Sequence, residues 1–393
     1  MAKPEQQPWE RGIMIPACDE LEQLPQAIQS LSKLPFRKIL VVVLNQTAEA
    51  PLSISNSNKQ LRELLLQWPN QQISSRSHQI NHPSKMLDIA LISRIEDPLH
   101  PKEGVGIARH IGMQYLCDLV EKGALSSPFI YSTDADARFP QDHLDPLPQT
   151  KQTHLHSYLH TPAQAPLIIY EMGLRYYSLG LHDAGAPCPF PTIGSVITTH
   201  ADLYRKSSGF PNRQAGEDFY LLNKLAKLGP VHYLGRDPVQ LVDRPSDRVP
   251  FGTGKGRADI EAAQLEYDLY HPEVFKLLRA WYQALKELPD KELIDELNLI
   301  APNFPGTKKI EKAIKQPVRE ARWLRRRFEC FDLFWTMKWI HHIRDTQFPS
   351  IPYREALRLA PFVPQLDGNL EHQQKMLFYH ERQTLTARSY ALP

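Results

Sequence analysis

Nowhere in its 393 residues does the chain approach the roughly 20 consecutive apolar positions that a bilayer-spanning helix needs, so any membrane role is expected to be peripheral. The N-terminus also lacks an apolar signal core. Cysteine is scarce: Cys18, Cys117, Cys188 and Cys330 are widely scattered and no Cys-x-x-Cys occurs, which reads most simply as reduced thiols in the cytoplasm. Excess charge is missing too. With 46 Lys and Arg against 44 Asp and Glu the net charge is +2, which gives no support for a nucleic-acid partner. No internal repeat is visible, and a hydrophobic content of 42% argues against disorder. The length suits one large core with an appendage, or two domains.

What is present, up to about residue 255, is an alternation of strand and helix signals. Gly12-Ile-Met-Ile15 reads as a first strand closed by Pro16, and residues 24–34 as a helix with Leu24, Ile28 and Leu31 on one face. Lys38-Ile-Leu-Val-Val-Val-Leu44 is apolar on both faces, as a buried parallel strand should be. Residues 56–68 look helical, 86–92 form a third strand and 106–120 a further helix. This βαβαβ progression predicts a doubly wound α/β domain over 1–255 with a nucleotide-sized crevice at the carboxyl ends of its strands. Past about residue 256, residues 260–288 and 308–343 carry helical periodicity, separated by a Pro- and Gly-containing bend at 301–306, so 256–393 is expected to be mainly α-helical; the tail after Pro361 gives no signal of function.

One stretch carries more chemistry than any other. In Tyr131-Ser-Thr-Asp-Ala-Asp-Ala-Arg-Phe139, the carboxylates of Asp134 and Asp136 stand two residues apart just past an apolar strand. Mg²⁺ and Mn²⁺ prefer oxygen ligands and are usually held by one or two carboxylates plus the substrate's phosphates. The pair is therefore expected to hold a divalent metal and, through it, a diphosphate; taken alone, Asp-x-Asp is a weak signal and more often an exposed, solvated acidic pair. Further along, Arg244, Arg248 and Lys255 are interleaved with small residues and glycines, forming either a cationic loop able to fold over a diphosphate or a plain linker. Pro187-Cys-Pro-Phe-Pro-Thr-Ile-Gly-Ser195 precedes a strand and is expected to line the acceptor side, where Gly194 and Ser195 allow close backbone approach. His154, His156 and His160 lack a Cys or carboxylate companion at zinc spacing, and the adjacent His341 and His342 point to different faces of a helix. Arg319, Arg322, Arg325, Arg326 and Arg327 could face phosphates, a membrane surface or solvent.

Four segments, in order, resemble the GT-A glycosyltransferases and in particular the inverting family 2. They are Ile15-Pro-Ala-Cys-Asp-Glu20 with Leu24-Pro25, Gly104-Val-Gly-Ile-Ala-Arg-His-Ile-Gly112, Ser132-Thr-Asp-Ala-Asp136, and Gly216-Glu-Asp-Phe-Tyr-Leu-Leu-Asn-Lys-Leu225. The match covers residues 10–250; the C-terminal region has no counterpart. The resemblance implies a GT-A fold, a Rossmann-like, mostly parallel sheet flanked by helices. It implies a nucleotide-sugar donor, a UDP- or GDP-sugar, bound around Pro16, Asp19, Glu20, Asn45, Gly104, Arg109 and Asp134, to which the cationic loop adds Arg248. It implies Mn²⁺ or Mg²⁺ on Asp134 and Asp136, with His232 as a candidate third ligand. Asp218 is then the catalytic base, and Glu217 binds the acceptor or fixes the geometry. Two departures stand out: Asn45 replaces the usual acid at the end of the second strand, and His110 follows Arg109 where Asn is usual.

In an inverting transfer negative charge builds on the leaving diphosphate while a carboxylate on the far side of the sugar takes the acceptor's proton, and those are the jobs given to Asp136 and Asp218. Gly-Glu-Asp opening a helix is also what a dipole-stabilised N-terminus looks like. Rival readings are a retaining GT-A transferase, a sugar nucleotidyltransferase and a non-catalytic nucleotide-sugar-binding protein. The nucleotidyltransferase would need a Gly-rich basic loop after the first strand, which Ile15-Pro-Ala-Cys-Asp-Glu20 lacks. A dinucleotide-dependent oxidoreductase is disfavoured because Gly-x-Gly-x-x-Gly is absent. The acceptor is not legible; a small cytosolic molecule and a lipid reached from the cytoplasmic face are both open.

Overall fold

The computed structural model describes every residue except 1–6, 102, 245–251, 317–321, 387–388 and 393. The chain divides into two compact units. The first takes Met1–Pro162, Thr192–Gly229 and Leu234–Gly252; the second takes Ala163–Pro191, Pro230–Tyr233 and Thr253–Pro393. One change of unit falls at Gly252. Two internal stretches nevertheless belong to the second unit: Ala163–Pro191 buries Ile168, Met172 and Tyr176 in its core, and Val231 and His232 pair with Tyr390 and Ser389.

The chain opens with β1 (Arg11–Ala17), α1 (Gln23–Ser32), β2 (Lys38–Thr47) and α2 (Leu52–Leu66), followed by a hairpin of β3 (Asn70–Ser74) and β4 (Ser77–Asn81). Next come β5 (Leu87–Leu99), α3 (Val105–Glu121), β6 (Phe129–Ser132), β7 (Ala137–Arg138) and β8 (Thr153–His160). Helix α4 (Ala165–Asp183) belongs to the second unit; β9 (Ile197–His200), α5 (Ala201–Lys206), α6 (Glu217–Leu228) and most of β10 (Val231–Leu241) return to the first.

Strands β6, β1, β2 and β5 form a parallel centre, with Met14 opposite Ser132 and Ala17 opposite Leu44. Antiparallel strands extend it on both sides: β4 and β3 beyond β5, and β9 and then β8 beyond β6. The parallel centre exists because these strands are apolar on both faces, and helices cover them. Leu40, Val42 and Leu44 of β2 share one buried cluster with Ile13 and Ile15 of β1 and Ile89 and Leu91 of β5. From α1, Leu24, Ala27, Ile28 and Leu31 close one side at helical spacing. Each fully buried Leu, Ile or Val side chain among these contributes about 1.5–3 kcal/mol. The result is mixed α/β, a large sheet with a parallel centre flanked by helices, joined to a helical C-terminal region, as the sequence leads one to expect.

The second unit contains α4, α7 (Thr253–Ala262), β11 (Asp268–Leu269), α8 (Pro272–Glu287), α9 (Asp290–Ile300), α10 (Pro305–Ile314) and α11 (Trp323–Cys330). It continues with α12 (Leu333–Thr346), β12 (Ile351–Pro352), α13 (Tyr353–Leu359), α14 (Leu370–Thr386) and β13 (Ser389–Tyr390). Its core is aromatic, with Tyr176, Phe275, Trp281, Tyr282, Phe328 and Trp339 all buried. Inside it, Arg175 of α4 is fully buried between Glu171, 2.8 Å away, and Glu381 of α14. Among the described residues no helix is long and apolar enough to cross a membrane.

Candidate active site

Parallel strands end on a common edge, and the loops leaving β1, β2 and β6 there enclose a cavity of about 490 Å³. Pro16, Glu20, Asn45, Gly104, Arg109, Asp134 and Asp136, all expected to be donor or metal residues, line it, together with Arg244. The far wall is formed by Gln46, Thr47, Glu49, Pro51 and Ile54. Asp19 is not part of the lining. It sits at φ 59°, in the left-handed region that Asp tolerates, and its N–H donates to Oδ1 of Asn58 at 2.9 Å.

Asn58, buried on α2, is a residue that sequence reasoning missed. Its amide nitrogen donates to the Asn45 carbonyl at 3.0 Å and to Gln46 Oε1 at 3.1 Å, so one side chain ties the loop after β1 to the end of β2. Asn45 in turn donates to the Ala17 carbonyl at 3.0 Å, which spends its amide nitrogen on the scaffold and leaves its oxygen as the group able to accept from a ribose or base. No periodicity or motif marks Asn58; only its complete burial on α2 distinguishes it.

Arg109 is the centre of the site. It projects from α3, is buried, and donates through Nε to Glu217 at 2.9 Å and through Nη2 to Asp134 at 2.8 Å. Its Nη1 reaches Ser132 Oγ at 3.2 Å and the Thr133 carbonyl at 3.3 Å. Burial works against its charge, but the carboxylates of Asp134 and Glu217 outweigh that and hold the guanidinium above its ordinary range. Most of its donors are spent on protein, so it acts as a cross-brace as well as a cation facing the cavity. Gly194 is required beside it: a Cβ there would lie 2.6 Å from Nη2 and 2.9 Å from Cζ. The room left at Gly194 is thus taken by the Arg109 guanidinium.

The second acid group sits where α6 begins. Left-handed Gly216 precedes Glu217 and Asp218, both in the first helical turn where the helix dipole favours negative charge. Glu217 is buried on Arg109. Asp218 is half-buried, with Oδ1 accepting from the Phe219 N–H at 2.7 Å. Burial first, and then the neighbouring Glu217 carboxylate, push Asp218 up to about 7. Asp134 is also raised, mainly by burial and then, against the pull of Arg109, by Asp136 and Glu217. A carboxyl poised near neutrality is suited to general-base work.

On the outer side, Arg244 spans two acids, with Nε 3.0 Å from Asp136 Oδ2 and Nη2 2.6 Å from Glu20 Oε1. Burial opposes its charge, while Asp136 and Glu20 raise it above its ordinary range. Among the described residues no three His, Cys, Asp or Glu side chains converge into a ready-made metal cage. The donor chemistry nevertheless fits a divalent ion of the Mg²⁺ or Mn²⁺ type. Asp134, Asp136 and Glu20 present hard oxygens to one cavity, and such ions take one or two protein carboxylates with phosphates and water completing the shell.

Several other expectations fall elsewhere. His232 lies in the part of β10 assigned to the second unit, with Nε2 3.4 Å from Ser389 Oγ. Arg248 lies outside the described residues. Lys255, expected on a flexible loop, stands on α7 and pairs with Asp259 one turn on. His154 and His156, both on β8, pack edge-on and tilted against Phe129 and Tyr131 respectively. His341 and His342 bond to different groups, Tyr270 and the Pro302 carbonyl. Of the arginine cluster, Arg325 pairs with Glu329 and Arg327 with Asp290, while Arg319 is outside the described residues.

No protein-family model matches the chain, and no curated protein matches it. Among solved structures it is similar to the crystal structure of S. aureus TarS 1-349, at 10% identity and a TM-score of 0.37, over 96% of this chain and 90% of that one.

Proposed function

We propose that the chain is a glycosyltransferase of the GT-A type, acting in the cytoplasm, which moves a sugar from a UDP- or GDP-sugar to an acceptor with inversion. The observation that carries this reading is the linkage of two acid groups through Arg109 at the carboxyl edge of a parallel sheet. One group, Asp134 with Asp136, opens into a cavity of about 490 Å³, a size suited to a nucleotide; the other contains a carboxyl held at about 7. Bound at Asp134 and Asp136, Mn²⁺ or Mg²⁺ would neutralise charge on the leaving diphosphate.

In this reading Asn45 and the wall at residues 46–54 hold the nucleoside, and Asp218 takes the acceptor's proton. Glu217 is engaged by Arg109, which supports geometry as its role and not acceptor binding. A pure binding protein would have no need of a carboxyl near neutrality beside the acid pair. The test is to screen the purified protein for hydrolysis of a nucleotide-sugar panel with Mn²⁺ or Mg²⁺, and then to determine the anomeric configuration of the product. Release of UDP or GDP with inversion is expected; no release from any donor would overturn the reading.

A further inference from the structure

Arg244 stands where an incoming cation would stand. Its guanidinium bridges Asp136, from the turn after β6, and Glu20, from the loop after β1, at 3.0 and 2.6 Å. Its root is fixed independently of that side chain: β7 pairs with β10, Leu241 lies opposite Ala137, and the Val242 N–H donates to the Asp136 carbonyl at 3.1 Å. The side chain can therefore leave both acids by rotating, with no change in the backbone strap. Arg109, the other guanidinium lining the cavity, is committed to Asp134 and Glu217.

We propose that Arg244 is an internal counter-cation: it holds Asp136 and Glu20 in the donor-free protein, excludes a free divalent ion, and yields its place only when the ion arrives together with a diphosphate. The inference rests on the reading of this cavity as a metal–diphosphate site. An ion entering alone would face a guanidinium a few ångströms away and would have to strip it of two charge-assisted hydrogen bonds. A diphosphate changes the balance, because its oxygens accept the released guanidinium in the same forked geometry. Ion and diphosphate then raise each other's affinity, as linkage requires.

The test uses Mn²⁺ alone, titrated into the full-length protein and followed by the loss of the free-ion electron paramagnetic resonance signal. Arg244→Gln is expected to bind Mn²⁺ at least about tenfold more tightly than wild type, the equivalent of one charge-assisted hydrogen bond. Arg244→Met should do the same, and serves if the glutamine variant melts below the assay temperature. Adding Asp136→Asn to either variant should return the affinity to the wild-type level. Adding UDP or GDP should tighten Mn²⁺ binding to wild type more than to Arg244→Gln. The proposal is overturned if neither Arg244 variant gains Mn²⁺ affinity, or if the gain survives Asp136→Asn. Should no nucleotide bind under any condition, the functional reading fails while the Mn²⁺ comparison still decides the role of Arg244.

Discussion

Arg109 on α3 donates to Glu217 on α6 at 2.9 Å, across 108 positions of sequence, so the helix carrying Asp218 and the strand end carrying Asp134 are held by one guanidinium. The two acid groups of the site are consequently set in position by the same buried charge.

Removing that charge should be costly. Arg109→Met leaves Asp134 and Glu217 facing each other without a counter-ion, and breaking a buried pair in this way costs about 3–5 kcal/mol. Denaturant unfolding of the single variant and of Arg109→Met with Glu217→Gln measures it, and the second change should recover part of the loss. A loss below about 1 kcal/mol would mean that the site is open enough for water to replace the brace.

Nucleoside diphosphate binding should depend on a divalent ion, and Asp136→Ala should remove that dependence. Calorimetric titration of UDP and GDP with and without Mn²⁺ checks this. Equal affinity under both conditions in the wild type would refute the metal assignment.

Asp218→Asn preserves shape but not basicity, so turnover should fall by about 10²–10⁴ with donor affinity near wild type. The pH dependence has a defined sign. Only the ionised carboxylate accepts a proton, and the group is held at about 7, so turnover should rise with pH through that value and be low at pH 5.5. A helix-start role alone predicts a stability change of at most about 1 kcal/mol and near-normal turnover. A product that retains the donor's configuration would also remove Asp218 from the base role.

The fold itself should be acid-sensitive. The rings of His143 and of His156 on β8 lie tilted with centroids 4.3 Å apart; burial, then Arg236, drives His143 from 6.5 down to about 3, and burial, then His143 and Arg236, holds His156 well below 6.5. The unfolded chain binds protons that the folded chain refuses, so stability is full above about pH 6.5 and is lost as pH falls below it. The slope should be up to about 1.4 kcal/mol per pH unit for each imidazole. Unfolding free energies at pH 7.5, 6.5 and 5.5 test this, and His143→Phe should flatten the lower part of the curve. An unchanged stability at pH 5.5 would contradict the buried neutral pair.

The parts of the molecule legible in the sequence were those written in short-range signals. Residues 38–44 announce β2 because a strand buried on both faces needs no alternation, and the Asp-x-Asp turn follows β6 as an acid pair after an apolar run should. The flanking hairpin β3–β4 was not legible, since Asn70–Ser74 is exposed throughout and carries no apolar pattern. The run from Thr253 to Gly256 read as loop because two glycines each cost a helix about 1 kcal/mol. In the fold Gly256 lies on α7 against the Tyr170 ring, where a Cβ would come within 2.2 Å, so packing overrides propensity. The partners of Arg109, Arg244 and Asn58 are long-range contacts that no local spacing encodes.

Helix α4 gives the order of synthesis a physical meaning. The sheet-forming unit has all its residues once Gly252 is made, yet α4, encoded in its middle, buries Ile168, Ile169, Met172 and Tyr176 among helices that follow. Its Arg175 waits longest, for Glu381. At ~5–20 residues per second the ribosome takes on the order of ten seconds to cover that distance. For that interval a nascent chain whose sheet still awaits the short edge strand β13 carries an uncovered apolar helix, which makes this stretch of translation a period of exposure to misassembly.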